Sequence, residues 1–60
     1  DNDGWTPLIC ASFIGHVEIV KLLLAAGAKK DKIDTYGDTA LTLATKRGHH
    51  EIVQLLQQAK

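Results

Sequence analysis

One cysteine, one proline, no methionine and only three aromatic residues occur among the 60 positions, and each scarcity closes off a reading. Cys10 has no internal partner for a disulfide, and without a C-x-x-C spacing there is no thiolate zinc site, so cysteine usage points to a reducing, intracellular setting, cytoplasmic or nuclear. Charge of one sign is also missing. Seven basic and seven acidic side chains cancel at pH 7, which leaves no electrostatic footprint for nucleic acid. The most apolar run, Leu22 to Ala28, falls far short of the roughly 20 residues of a membrane-spanning helix, so no membrane role is expected. The start at Asp1 brings neither a methionine nor a cationic leader and reads as a cut.

What is present is repetition. A shift of 33 residues superposes Asp1 on Asp34, Gly4 on Gly37, Thr6 on Thr39, Leu8 on Leu41, Ala11 on Ala44, Gly15 on Gly48 and His16 on His49. The register continues through Glu18-Ile19-Val20 on Glu51-Ile52-Val53, Leu22-Leu23 on Leu55-Leu56 and Ala26 on Ala59. Each copy opens on a turn sequence in which Asp bonds nearby backbone and Gly supplies a positive φ. Thr6 and Thr39 are then N-caps, and Pro7 is preset for a first helical position where its missing N–H costs nothing. Leu8, Ala11 and Ser12, with Leu41, Ala44 and Thr45, make a narrow stripe on a short helix that Gly15 or Gly48 ends. A second helix is expected from about Val17 to Ala26 and from about His50 to Ala59. Its buried face in the first copy is Ile19, Val20, Leu23 and Leu24, and Gly27 terminates it.

The segments "DNDGWTPLICASFIGHVEIVKLLLAAGA" and "DTYGDTALTLATKRGHHEIVQLLQQA" resemble ankyrin repeats, whose pattern D-x-x-G-x-T-P-L, then A, then G-H-x-x-I-V-x-L-L-x-x-G-A has the same period. The resemblance implies an all-α, helix-turn-helix repeat solenoid. Repeat 1 spans 1–33 and repeat 2 spans 34–60, the second being C-terminal and partly capping. Two departures stand out. The family often has His after T-P-L, tying neighbouring loops together, where this chain has Ile9 and Thr42, so that bridge should be absent or altered. Ala40 also replaces the proline. Three or more repeats are usually needed to build a stable stack. Polar Gln57, Gln58 and Lys60 suggest a last helix facing water, whereas Leu8, Ile9, Ile19 and Val20 keep an interior pattern with nothing before them. The expectation is a C-terminal piece of a longer array, or an engineered pair, whose Leu8, Ile9, Ile19 and Val20 side is open to association.

Comparing the copies isolates positions whose chemistry the repeat pattern does not dictate. Trp5, Phe13 and Ile14 correspond to Asp38, Lys46 and Arg47, large apolar groups against charged ones. The resemblance places them at the loop tip and first-helix end, on the concave surface with which such arrays grip proteins, and Trp and Arg dominate interface energetics. Trp5, Phe13, Ile14, Tyr36, Asp38, Lys46 and Arg47 are therefore the candidate partner-binding residues. The alternative is that Trp5 and Phe13 cover the local core or packed on a missing repeat. His16 and His49 occupy one repeat position and fall too far apart for a metal site, whose ligands must all lie within about 2.1 Å of the ion. Cys10, aligned with Leu43, reads as a small core hydrophobe, and Lys29, Lys30 and Lys32 as a solvated connector. No nucleophile elbow or phosphate-cradling glycine loop is present. The function expected is a non-catalytic protein–protein interaction module without cofactor, with self-assembly through uncapped apolar faces as the alternative.

Overall fold

The computed structural model describes residues 4–59. Four helices follow one another: α1 (Pro7–Ile14), α2 (Val17–Ala25), α3 (Ala40–Arg47) and α4 (His50–Gln58), with no strand among the described residues. The caps are those the sequence calls for. Thr6 Oγ1 accepts from Ile9 N–H at 3.2 Å and Thr39 Oγ1 from Thr42 N–H at 3.1 Å, each relieving an amide that the helix leaves unpaired. Gly15, at φ 99°, closes α1, and His16 N–H returns to Ala11 O at 3.0 Å. At the end of α2, Ala28 N–H reaches Leu23 O and Gly27 N–H reaches Leu24 O, a Schellman closure that requires the left-handed Gly27, φ 86°.

The fourth helix ends differently, because Ala59 is extended and no glycine follows Gln58. Lys30 supplies the missing donor. Its ammonium lies 2.6 Å from Ala59 O and 3.5 Å from Leu56 O, placing a cation at the negative end of the helix dipole. The expected solvated connector Lys29–Lys32 is thus a structural clasp at one position.

In each copy a two-residue link folds the second helix back on the first, and the two pairs stack through α1 against α3 and α2 against α4. Because both pairs have the same internal partners, a difference in burial at equivalent positions marks the face that the other pair covers. Leu8, Ile9, Ser12 and Val20 are buried, while their counterparts Leu41, Thr42 and Val53 are half-buried and Thr45 is exposed. Conversely Ala40, Leu43, Ile52 and Leu56 are buried, while Pro7 is exposed, Cys10 and Leu23 are half-buried, and Ile19 is 45% exposed against 0% for Ile52. The core is the seam between these two sets.

This corrects the open face read from the sequence. Leu8, Ile9 and Val20 turn toward the second pair and are buried; of the four residues assigned to the open side, only Ile19 is exposed. The uncovered side consists of Pro7, Cys10, Ile19 and Leu23, with Leu22 beside them at 69% exposure. A groove of about 260 Å³ lined by Thr6, Pro7, Leu8, Leu23, Ala28, Lys29 and Lys32 runs along it. The apolar stripe of each helix is wide enough to serve two neighbours, and its period does not tell which edge meets which. Cys10 lies on this open side, half-buried, rather than in the seam.

Two stability predictions follow from the seam. Ile52→Ala should cost about 2–5 kcal/mol, enough to unfold most of a chain this small, while Ile19→Ala at the same repeat position should cost under about 1 kcal/mol; circular dichroism during urea titration separates them. Among the described residues the Ser12 hydroxyl, fully buried, has no hydrogen-bond partner, whereas Thr45 at the same position donates to Leu41 O at 2.8 Å. Ser12→Ala should therefore stabilise the chain by about 1 kcal/mol and raise its Tm by several degrees.

Candidate functional site

The turn before α3 is built on one carboxylate. Asp34 Oδ1 accepts from Tyr36 N–H at 2.9 Å and Asp38 N–H at 2.8 Å, and the turn is closed by Asp34 N–H to Asp38 O and Gly37 N–H to Asp34 O. The other oxygen, Oδ2, accepts from the Trp5 indole Nε1–H at 2.9 Å. Asp34 is buried, so its three donors replace lost solvent. The Asp38 amide above all, helped by Trp5 and Tyr36, holds the Asp34 carboxyl below its ordinary value of 3.8, against the opposing effect of burial. Trp5 thus links the turn tip of the first copy to that of the second. The family's histidine is replaced by Ile9, which is buried, so the polar bridge between loops is carried by Trp5 and Asp34 instead.

A second link joins the far ends of α1 and α3. The His49 ring, at the start of α4, places Nε2 3.1 Å from Phe13 O; a carbonyl oxygen only accepts, so Nε2 carries the proton. The imidazole fills the space beside Gly15, where an added Cβ would lie 2.8 Å from Cε1. The absence of a side chain at residue 15 therefore serves two ends, the left-handed turn and the seat of His49.

Between these links runs a continuous surface. The Trp5 and Phe13 rings have centroids 4.9 Å apart at 53°, a tilted arrangement that aromatic quadrupoles favour. The Arg47 guanidinium carbon lies 4.7 Å from the centre of the Phe13 ring, within cation–π range. Alongside, Lys46 Nζ is 3.2 Å from Asp38 Oδ1. The two copies therefore solve one local problem with different chemistry: Trp5 to Phe13 is an aromatic pair, and Asp38 to Lys46, at the equivalent positions, is an ion pair.

Of the candidate residues, Trp5 and Phe13 are half-buried and pack on the hydrophobic core, as the local-core reading expects; they do not stand free. Asp38 is half-buried, and Lys46 and Arg47 are exposed. Ile14 is 53% exposed and Tyr36, on the turn, 72%. The structure brings Trp5, Phe13 and Arg47 together and sets Asp38 and Lys46 beside them. Tyr36 is placed at the Asp34 turn through its backbone N–H. Sequence reasoning did not single out Asp34 or His49 as links. The invariance of Asp and of Gly-His between the two copies was the available signal. Among the described residues, no group of three His, Cys, Asp or Glu side chains has the disposition of a metal site, and no helix is long and apolar enough to cross a membrane.

Acid should weaken this turn in a defined way. Because the folded pKa of Asp34 is lowered, its contribution is fully present above the ordinary value of 3.8 and is lost as pH falls through the folded value. Asp34→Asn should lower Tm at pH 7 by several degrees and flatten the acid limb of the Tm–pH curve. A variant whose acid limb matched that of the parent would place the titration elsewhere.

Comparison with known proteins agrees with this geometry. A family profile described as ankyrin repeats, in three copies, matches residues 1–60. The chain is 46% identical over 57 residues to ankyrin repeat and SAM domain-containing protein 6 of Mus musculus, covering 93% of the chain and 6% of that protein. It is 45% identical over 62 aligned positions to ankyrin repeat and SOCS box protein 3 of Bos taurus, covering 98% and 12%. It is also 42% identical over 55 residues to the glycerophosphocholine phosphodiesterase gde1 of Schizosaccharomyces pombe (strain 972 / ATCC 24843), covering 92% and 5%. The chain spans only a small part of these relatives, an enzyme among them. With the four helices, their caps and the profile match over its whole length in agreement, the chain belongs to the ankyrin repeat family.

Proposed function

We propose that the chain is a non-catalytic protein–protein interaction module, part of a longer array with repeats at 1–33 and 34–60, and that it grips its partner across Trp5, Phe13, Ile14, Tyr36, Asp38, Lys46 and Arg47. Ankyrin repeats generally mediate protein–protein contacts. The observation that carries the assignment of the surface is the exchange of the Trp5–Phe13 pair for the Asp38–Lys46 pair at equivalent positions. The same two repeat positions hold either pair, which supports reading this surface as the one that varies between repeats. Ile14 and Tyr36 extend the surface with apolar area open to contact. Trp5 and Phe13 act from beneath, holding Arg47 and the turn in place, and their own edges complete the patch.

A second reading, self-association, is supported by Ile19 and Leu22, 45% and 69% exposed, on the uncovered side of α2. In it another copy covers the face that a preceding repeat would cover in an array.

The two readings separate experimentally. Selection of a random peptide-display library on the 60-residue chain should yield binders that an Ile14→Asp, Arg47→Gln double variant no longer retains and that an Ile19→Asp variant retains in full. Binders lost only with Ile19→Asp, together with a concentration-dependent sedimentation coefficient that Ile19→Asp abolishes, would replace the first reading with the second.

A further inference from the structure

We infer that the Arg47–Phe13 surface recognises a carboxylate side chain on an extended partner segment, with an adjacent apolar side chain of that segment packed on Ile14. The inference rests on the protein-binding reading and names the chemistry of the partner.

Three observations converge on it. The first concerns Arg47, which is exposed and lies over the Phe13 ring at 4.7 Å. The ring faces the positive charge from one side, and the five N–H donors of a guanidinium match a carboxylate two at a time. A contact of this kind favours one placement of a long side chain before any partner arrives, which lowers the entropy lost on binding.

The second concerns competition from within the chain. Among the described residues, the two carboxylates of the turn before α3 are already committed, Glu18 lies 3.7 Å from Lys21 Nζ, and Glu51 forms no ion pair with Arg47. Asp34 is buried and accepts from Trp5, Tyr36 and Asp38, while Asp38 pairs with Lys46 at 3.2 Å. Arg47 has no ion pair of its own among those residues. Among the described residues the surface therefore presents a cation without an ion-pair partner, although the whole chain is neutral, and an acidic group is its electrostatic complement.

The third is the neighbour. Ile14 occupies in α1 the position that Arg47 occupies in α3, so the two lie at corresponding ends of adjacent helices, one 53% exposed and apolar, the other exposed and charged. Side chains two apart on an extended segment fall on one side of it, so an acidic residue on Arg47 brings the residue two positions away toward the neighbouring helix end.

The test uses peptides enriched from the display library, resynthesised with free ends blocked, in parallel with versions whose Asp or Glu is changed to Asn or Gln. Trp5, the only tryptophan, packs on the same Phe13 and reports binding by its fluorescence. Acidic residues spaced by one position from Leu, Ile, Val or Phe should be enriched. Amide replacement should weaken binding at least about tenfold, and Arg47→Lys should fall between the parent and Arg47→Gln. Raising salt from 50 to 300 mM should weaken the acidic peptides and leave their amide versions unchanged. Peptides that bind equally well as amides would overturn the carboxylate assignment and leave the protein-binding reading standing; a library yielding no binder would remove both. Should Arg47→Gln lose helicity, the acid-to-amide comparison on the unaltered chain still decides.

Discussion

Neither helix pair can bury its own apolar stripe, and the two share a single seam; almost everything else in the molecule serves that constraint. Fully buried side chains such as Leu8, Ile9, Val20, Ala40, Ile52 and Leu56 lie along it. A chain of this length has little core to lose, so the seam cannot be left to apolar contact alone. Polar links pin it at two further places, Trp5 to Asp34 at the turn tips and His49 to Phe13 O at the helix ends. Lys30, bonded to the last carbonyls of α4, ties the linker to the second pair. These links are directional where burial is not, and they fix how far one pair slides along the other.

The candidate site shares its parts with that framework. Trp5 donates to Asp34 and supports Phe13; Phe13 gives its carbonyl to His49 and its ring to Arg47. The exposed side chains of the candidate site, Ile14, Arg47 and Tyr36, stand beside residues and turns that carry these structural contacts. That division suits a binding surface, since anchors that do not move lose little freedom on contact. It also means that truncating Trp5 or Phe13 disturbs the framework itself, so the proposed contacts are best probed at the outer residues.

Much of this was legible in the sequence, and the reasons differ by element. Helix boundaries were readable because Thr6, Pro7, Gly15, Thr39 and Gly48 each have a local mechanism, and the 33-residue register made every signal count twice. Of the face that helical spacing marked as buried in the first copy, Val20 is buried, Leu23 and Leu24 are half-buried, and Ile19 is exposed because no pair covers that edge. The direction each stripe faces did not follow from spacing, because Leu8, Ile9 and Val20 look the same in sequence whether they meet the pair before or the pair after. Nor could spacing reveal that Trp5 would spend its N–H on Asp34, a contact between residues far apart in the chain, or that Lys30 would close a helix end lacking its glycine. The comparison of copies did single out Trp5 and Phe13 against Asp38 and Lys46, and the structure pairs the members of each set with one another.

The two turn-to-helix contacts at equivalent positions answer to different surroundings. The Trp5–Phe13 contact is apolar and insensitive to ions in solution, while the Asp38–Lys46 contact, with the Lys46 side chain 61% exposed, fades as added salt screens it. Cooling weakens the former, through the fading hydrophobic term, more than the latter. A molecule whose halves share one backbone design thus has turn-to-helix contacts that loosen under separate conditions, brine for one and cold for the other. The internal symmetry of the chain is a symmetry of shape and not of response.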